Sequence, residues 1–323
     1  MRRGGIDKGI ILLLVIVLVV VATGVLVGLA VRTDEISDLV AAEQQLVALV
    51  ALELEGGRLI TQVLFYEFST DRGALFDVPA ETGVVVESLN RIDSIDTVFS
   101  AEGIEAYRRQ VGELLGEPIP FHIHFAGSGI EAVVDLVEGL PVFVTDLPNE
   151  GPDAVPIPSG DVVLDGAKAM QYLEYSAPGE RPQERIVRDQ KLVISLLEEL
   201  GNDHETLADR TASRVLMGLV DTNIERQAFL SLARELDSLE NDRMITRQIE
   251  GVTRTVSTDG QDESLLFPHQ EGRWLRESVR QVVENLESDE SIRDENIVIR
   301  LEILNGTGIT GLATRTAELF RTW

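Results

Sequence analysis

The sequence predicts an α/β protein in which one N-terminal membrane-spanning helix precedes a large layered domain. Two observations lead to this fold class: a long uncharged stretch near the N-terminus, and short apolar runs that alternate with amphipathic helical stretches afterwards. Strands alternating with helices are typical of a sheet whose faces are covered by helices. With 323 residues, the chain can form one large domain or two ordinary ones, each with a substantial core.

Composition excludes several classes of function. The chain has 28 Lys or Arg residues against 55 Asp or Glu residues, and its formal net charge is −27. Nucleic acid binding needs a cationic surface, so this charge argues against nucleic acid as a partner. The chain has no cysteine, which removes disulfides, thiolate metal sites and cysteine nucleophiles.

The uncharged stretch, residues 9–31, is dominated by Val, Leu and Ile. A helix of this length reaches about 35 Å, enough to cross the hydrocarbon core of a bilayer. Arg2, Arg3 and Lys8 precede it and acidic residues follow it, so the positive-inside bias keeps the eight N-terminal residues in the cytoplasm. We therefore predict a single-pass protein of the cytoplasmic membrane with most of its chain outside.

A cleaved signal peptide is the alternative for residues 9–31, because Gly28-Leu29-Ala30 has the small residues of a cleavage site. The apolar stretch exceeds the roughly 7–15 residues of a usual signal-peptide core, which favours an anchor. Gly24 and Gly28 have a GxxxG spacing, compatible with a dimer of two such helices, although glycine is common in membrane helices in any case.

After the anchor, residues 34–45 are polar and helix-prone and are predicted to form a stalk. Apolar runs at 46–54 and 59–68, separated by Gly56 and Gly57, predict two strands joined by a turn. Further strands are predicted as a pair at 73–86 interrupted at Pro79, at 121–125, at 141–144, and at 297–304 after an acidic linker at 288–296. Periodicity predicts helices at 101–115, 130–137, 166–173, 184–200, 206–219, 226–239 and 272–286.

Two histidines share one face of the predicted strand 121–125. Strand alternation directs Phe121, Ile123 and Phe125 to one side and His122 and His124 to the other. The histidine pair could chelate a metal, but the spacing suggests no third ligand, so no metal site is predicted from it.

Ordered segments between residues 45 and 287 carry a resemblance to a known family. They are Asp93-Ser-Ile-Asp-Thr-Val-Phe99, Leu115-Gly-Glu-Pro-Ile-Pro120, Phe121-His-Ile-His-Phe125, Ala132-Val-Val-Asp-Leu136, Val142-Phe-Val144, Leu164-Asp-Gly-Ala-Lys-Ala-Met-Gln-Tyr172 and Arg185-Ile-Val-Arg188-Asp-Gln190. Together they resemble the LytR-CpsA-Psr family, extracytoplasmic proteins that transfer polyprenyl-pyrophosphate-linked glycopolymers to the cell wall. The resemblance implies a layered α/β/α domain with a central mixed sheet over residues 46–287.

A second resemblance covers the end of the chain. Residues 298–313 are similar to the opening of the LytR C-terminal domain, and the chain ends at Trp323, inside the first helix of that domain. The resemblance therefore implies an incomplete strand–turn–helix over 297–323. The stretch Gly306-Thr-Gly-Ile-Thr-Gly311 also spells a dinucleotide fingerprint, but no second strand and acid follow as that fold requires, which favours a tight turn.

Pyrophosphate binding depends on basic side chains, because guanidinium groups pair with phosphate oxygens bidentately. The resemblance implies that four basic positions of the family are replaced here, by Ala80, Ser94, Glu174 and Ser176. The stretch 52–57, matched to a turn that helps to hold a metal, offers acids and no arginine. What remains as a candidate anion or pyrophosphate site is Arg185, Arg188 and Gln190, with both arginines partly exposed on one helix face. The alternative for the two arginines is a solvated face, or one paired with Glu184, that binds no anion.

The four replacements decide the expected function. At about 1.5 kcal/mol for each lost charged hydrogen bond, pyrophosphate binding weakens by about four orders of magnitude. We expect a non-catalytic, degenerate member without a cofactor, which binds a polyprenyl-linked or wall glycopolymer or an envelope partner. Two alternatives stay open: an active glycopolymer phosphotransferase that uses Mg²⁺ and basic residues from other positions, and a membrane-tethered scaffold without a ligand.

Overall fold

The computed structural model describes residues 34–145, 157–176, 180–258 and 261–287, together with Val17. The chain divides into two units, Met1–Glu287 and Ser288–Trp323, and the described residues belong to the first. The predicted span 9–31 (apart from Val17), with Gly24 and Gly28, the linker 288–296 and the strand–turn–helix 297–323 lie outside the described residues. Among the residues described, no helix is both long enough and apolar enough to cross a bilayer.

Strands form the centre of the first unit. The described residues contain twelve strands: β1 (Leu46–Glu53), β2 (Leu59–Glu67), β3 (Arg72–Asp77), β4 (Gly83–Val86), β5 (Arg91–Ser94), β6 (Phe121–Ala126), β7 (Leu140–Val144), β8 (Gly160–Leu164), β9 (Val220–Thr222), β10 (Met244–Gln248), β11 (Gly251–Thr258) and β12 (Gln261–Pro268). Six of them make one mixed sheet in the order β10-β3-β2-β1-β6-β9. The β1–β6 and β3–β10 pairs are parallel and the other three are antiparallel, which confirms the predicted central mixed sheet.

Helices cover both faces of this sheet. The described α-helices are α1 (Glu35–Ala41), α2 (Ile95–Glu102), α3 (Ile104–Leu115), α4 (Ser128–Leu136), α5 (Gly166–Glu174), α6 (Pro182–Asn202), α7 (His204–Leu207), α8 (Arg210–Leu219), α9 (Arg226–Glu235) and α10 (Arg273–Glu287). One face packs against α1, α4, α5, α6, α8 and α9, and the other against α2, α3 and α10. Strand alternation sorts the side chains: Phe121, Ile123 and Phe125 of β6 join the first core cluster, as predicted.

Several observed elements differ from the predicted ones. The helix predicted at 101–115 is two helices, because Gly103 has a φ of 81° and interrupts the helical backbone between α2 and α3. The strands predicted as a pair at 73–86 do not pair with each other; β3 pairs with β2, and β4 pairs with β5. The β11–β12 hairpin was not predicted, because its mostly exposed residues give β11 no apolar alternation.

The predicted stalk is a helix docked on the domain. Asp34 caps α1 by accepting a hydrogen bond from the backbone N–H of Ser37 at 2.9 Å, and it also accepts one from Ser231 of α9 at 2.8 Å. Ile36 is fully buried in the core cluster. One apolar side chain and one capping carboxylate thus hold the start of the described chain against α9.

Helix α6 runs so close to its neighbour that only glycine fits at one position. A Cβ on Gly201 would lie inside van der Waals contact of the Leu236 carbonyl group, whereas a Cβ on Gly218 of α8 would meet no atom within 4 Å. We expect Gly201→Ala to lower the free energy of unfolding by about 1–3 kcal/mol, the usual effect of overpacking. Gly218→Ala is the matched control and should raise it by up to about 1 kcal/mol. Urea denaturation of both variants measures the difference, and equal stabilities would contradict the close approach.

Candidate functional site

The first turns of α6 carry the two predicted arginines. The helix begins at Pro182, where the fixed φ of proline suits the first helical position, and Glu184 accepts a hydrogen bond from the backbone N–H of Arg181 at 3.2 Å. Arg185 is half-buried, and Arg188 is only 7% exposed. The prediction of two partly exposed arginines is therefore wrong for Arg188, because the helix turns this position toward the core.

Both arginines converge on one carboxylate. Glu180 forms ion pairs with Arg188 and, at 3.5 Å, with Nε of Arg185. Arg188 also donates to the backbone carbonyl of Tyr175 at 2.6 Å, and Arg185 donates to the hydroxyl of Ser176 at 2.5 Å. The positive charges that would attract an anion are thus already engaged within the protein.

Aromatic rings flank the buried arginine. The guanidinium carbon of Arg188 lies 5.8 Å from the ring centroid of Tyr172 and 5.4 Å from that of Tyr175. Both distances are within the range of cation–π attraction. The rings and Glu180 together stabilise Arg188 in its charged form at a buried position.

A third arginine of the cluster was missed by the sequence analysis. Arg58 follows the Gly56-Gly57 turn, forms an ion pair with Asp189 of α6 and donates to the carbonyl of Leu173 at 2.6 Å. The stretch matched to the family's metal turn stopped at Gly57, one residue short of it. One feature of the sequence could have indicated Arg58. It directly precedes β2, so it lies at the end of the sheet where β1 ends.

Two buried carboxyl groups lie behind these arginines. Burial raises the pKa of Asp77 to about 7, with a further contribution from the charge of Asp189, although Gln62 donates a hydrogen bond to Asp77 at 2.6 Å. Burial likewise raises the pKa of Asp189 to about 6, and this shift is partly offset by Arg58 and Arg188. The cluster therefore changes its charge between about pH 6 and pH 7.

Gln190 plays a structural part. Its side-chain amide donates to the backbone carbonyl of Arg247 at 2.7 Å and to that of Leu75 at 3.4 Å. These bonds fasten α6 to the β3–β10 edge of the sheet. Because its amide hydrogens are directed at carbonyl groups, the structure does not bring Gln190 together with the arginines as an anion ligand.

The four positions that the resemblance implies are replaced fall in two places. Glu174, exposed, ends α5, and Ser176, also exposed, contacts Arg185. Ala80 and Ser94 lie where the loop after β3 meets the start of α2, since the N–H of Asp96 is 3.5 Å from the Ala80 carbonyl. Ser94 contributes a hydroxyl contact of 3.0 Å to Thr97. None of the four supplies a positive charge.

A cleft of about 460 Å³ lies beside α6, along the β3–β10 edge of the sheet. Its volume is within the range of small-molecule binding sites. The lining residues are Phe76, Gln183, Ile186, Val187, Gln190, Thr246, Arg247, Gln248, Glu250, His269, Trp274, Leu275 and Ser278. Four of these residues, Gln183, Ile186, Val187 and Gln190, belong to α6, the helix that also carries Arg185 and Arg188.

The predicted histidine pair lies on the other side of the sheet. His122 and His124 are buried between β6 and the α2–α3 layer, where the ring of Phe99 contacts His124 edge to face at 5.2 Å. Burial lowers the pKa of His122, and the acidic side chains of Glu105 and Asp221 oppose this shift. Acidic side chains therefore lie around the histidine pair. The spacing of residues in the sequence did not predict these neighbours.

Comparison with solved structures identifies the fold. TagV of Bacillus subtilis matches 76% of this chain and 97% of its own at 17% identity and a TM-score of 0.62. The match to Lin1025 of Listeria innocua covers 75% of this chain and 98% of Lin1025, with 18% sequence identity and a TM-score of 0.62. YwtF (TagT) of Bacillus subtilis was solved with bound octaprenyl pyrophosphate lipid. Its match covers 74% of this chain and 90% of YwtF, with 14% sequence identity and a TM-score of 0.56. At these identities the likeness shows the shared fold alone.

Sequence comparison gives the family. No curated protein sequence matches this chain significantly. The model of the LytR_cpsA_psr family matches residues 63–271, well over half of the chain, and this range includes all of the ordered segments from Asp93 to Gln190. Because this match covers well over half of the chain and includes α6 and five of the six strands of the central sheet in whole or in part, the protein belongs to the LytR-CpsA-Psr family.

Proposed function

We propose that the protein is a membrane-anchored cell-envelope member of its family that binds a polyprenyl-linked or wall glycopolymer without transferring it. YwtF, with the same fold, was solved with bound octaprenyl pyrophosphate lipid, which supports a lipid pyrophosphate as the ligand class. The candidate site here combines a cluster of arginines with a cleft that has apolar walls, and α6 contributes residues to both.

Pairing of every arginine in the cluster with a carboxylate is the observation that carries the non-catalytic part of the proposal. Arg185 and Arg188 share Glu180, and Arg58 pairs with Asp189. An incoming pyrophosphate must displace carboxylates from these guanidinium groups before it can bind them. Binding is weakened by this competition, because each new ion pair replaces an existing one.

Transfer needs more positive charge than binding. A phosphoryl group in transit spreads negative charge over its oxygens, and enzymes stabilise that charge with several cationic groups or metal ions. Four basic positions of the family pattern are occupied by Ala80, Ser94, Glu174 and Ser176, and Glu174 adds a negative charge. This deficit supports a protein that holds its ligand without reaction and needs no cofactor.

The lipid part of the ligand suits the cleft beside α6. Its walls include the apolar side chains of Phe76, Ile186, Val187, Trp274 and Leu275. An isoprenoid chain would bury apolar surface against them, with its pyrophosphate at the arginine end. Burial at about 25 cal/mol per Å² would then supply most of the affinity, which fits a weak anion site.

An active phosphotransferase is the alternative, and Arg58 is the observation that favours it. This arginine adds a guanidinium group that the sequence pattern did not supply. Such an enzyme would use Mg²⁺, as the family resemblance implies. A membrane-tethered scaffold without a ligand is the second alternative, and it requires that no lipid pyrophosphate binds at all.

Glu180→Gln tests the competition at the arginines. The change removes one negative charge from Arg185 and Arg188 but keeps an oxygen that accepts hydrogen bonds, so we expect affinity for farnesyl pyrophosphate to rise about tenfold, or about 1.4 kcal/mol. Glu184→Gln is the matched control, because Glu184 is exposed and pairs with Arg181 instead. Calorimetric titration measures both, and circular dichroism checks the fold.

Unchanged affinity in Glu180→Gln, or an equal rise in both variants, would contradict the competition. No binding to either variant or to the wild type would favour the scaffold. With Mg²⁺ and a lipid-pyrophosphate donor, none of the three proteins should release polyprenyl phosphate. Turnover well above that of a heat-treated sample would favour the phosphotransferase.

The raised pKa of Asp189 predicts a pH dependence. Its carboxyl, with a pKa of about 6, is charged at pH 7 and mostly protonated at pH 5, so acidification releases Arg58 and strengthens anion binding. Asp189→Asn should bind farnesyl pyrophosphate about tenfold more tightly than the wild type at pH 7. The ratio of the two affinities should approach one at pH 5. Protonation of the ligand affects both proteins equally and therefore does not change this ratio. A ratio that is constant over this range would contradict the assignment.

Topology is the remaining part of the proposal. The uncharged residues 9–31, with Arg2, Arg3 and Lys8 before them, support an anchor with its N-terminus in the cytoplasm. Residues 298–313 support the start of a LytR C-terminal domain on the outer side, and Gly24 and Gly28 support a helix–helix dimer.

A reporter fused after Trp323 tests this topology. Alkaline phosphatase, which is active outside the cytoplasm, should be active in this fusion, and green fluorescent protein exported by the same route should be dark. The opposite pattern would overturn the outer location of the domain. The matched control is a fusion lacking residues 1–33, which should reverse both signals.

A further inference from the structure

Two buried histidines lack hydrogen-bond partners for their ring nitrogens. The side chains of His122 and His124, on one face of β6, are only 4% and 9% exposed. None of their four ring nitrogens has a hydrogen-bond partner. Leaving buried polar groups unpaired destabilises a folded protein, so native structures satisfy nearly all of them with protein, water or an ion.

Carboxylates face every one of these nitrogens. Asp221 of β9 pairs with His124 in the sheet, and its two oxygens lie 3.9 Å from Nε2 of His122 and 3.6 Å from Nδ1 of His124. The opposite nitrogens lie 3.5 Å from Glu105 and 3.4 Å from Glu53. All four distances are longer than those of good hydrogen bonds.

The distances to Asp221 are close to those in a metal site. Zn²⁺ binds imidazole nitrogen and carboxylate oxygen at roughly 2.0–2.2 Å, so two ligand atoms on a tetrahedral ion are about 3.4 Å apart. We infer that Nε2 of His122, Nδ1 of His124 and the Asp221 carboxylate form a binding site for a divalent transition metal ion. Two imidazoles and one carboxylate are a common ligand set for such ions.

The site closes around the ion by a small movement. In the described part of the chain, no group of three such side chains is close enough to hold a metal as it stands. The side chain of Asp221 is 66% exposed, so it can rotate at little energetic cost and bring its oxygens closer to both histidines. Its exposure also gives the ion a path from solvent.

The outer carboxylates determine which nitrogens bind the ion. Metal-ligating histidines usually donate their other ring N–H to a carboxylate, which orients the ring and makes the ligand nitrogen more basic. Glu105 is placed to do this for Nδ1 of His122, and Glu53 for Nε2 of His124. Each histidine thus has one nitrogen toward Asp221 and the other toward a supporting carboxylate.

The ligand chemistry selects the kind of ion. Imidazole favours Zn²⁺, Ni²⁺ or Cu²⁺, whereas Mg²⁺ and Ca²⁺ prefer oxygen ligands alone. The net charge of −27 attracts cations generally, and the local acids extend that field to the site. This site lies on the opposite face of the sheet from the arginines, so it is independent of the function proposed above.

Titration with Zn²⁺ tests the inference. The purified full-length protein, treated with a chelator and then dialysed, should bind one Zn²⁺ per chain at pH 7.5, and excess Mg²⁺ should not compete. Asp221→Asn should weaken binding by at least tenfold. Asp237→Asn is the matched control, because Asp237 faces His204 at 3.6 Å in a similar exposed pair and should leave binding unchanged. Absence of Zn²⁺ binding, or equal affinity in Asp221→Asn, would overturn the site.

Imidazole nitrogen spectra give a second readout that does not depend on affinity. The chain has four histidines, and Zn²⁺ should shift the signals of His122 and His124 only. Glu105→Gln should weaken binding by about tenfold, the usual effect of losing a supporting carboxylate. Circular dichroism confirms that each variant is folded. Shifts confined to His204 and His269 would show surface binding and contradict the inference.

Discussion

The pairing of charges at the start of α6 is the interaction on which the candidate site depends. This helix crosses the face of the sheet and carries Arg188, Asp189 and Gln190 into the protein interior. A buried charge is tolerated only when an opposite charge or several hydrogen bonds compensate for it. Glu180, Arg58 and the backbone carbonyls of neighbouring strands provide that compensation. The position of α6 therefore determines which groups any ligand must displace.

The same pairing connects stability with function. In a site that binds a highly charged anion, some cationic side chains can stay unpaired in the free protein, because their interaction with the bound anion offsets the energetic cost of burying them. Here Arg185 and Arg188 share the Glu180 carboxylate, and the buried Asp77 and Asp189 retain protons more readily than exposed acids. The fold of the family is kept, and every arginine of the cluster already has a carboxylate partner. The proposed binding function rests on this pairing, because an incoming anion must compete with those carboxylates.

The two polar regions of the domain occupy opposite faces of one sheet. The arginine cluster belongs to the face covered by α5 and α6, and the histidine pair to the face covered by α2 and α3. Strand alternation separates them: in β6 the residues between the histidines point into the other core cluster. A change on one face therefore reaches the other only through the backbone of the sheet, which is well buried and extensively hydrogen-bonded.

The sequence by itself determined the local elements and the family. Apolar runs around Gly56 and Gly57 predicted β1 and β2, the alternation at 121–125 predicted β6, and periodicity predicted α5 and α6, because these patterns depend on neighbours within a few residues. Tertiary structure alone decided the contacts between distant segments. Arg58 meets Asp189 across 131 positions, and Asp221 lies beside His124 because β9 pairs with β6. The pattern of residues along the sequence does not predict these long-range contacts, because the packing of α6 and the order of the strands bring the groups together only in the folded chain.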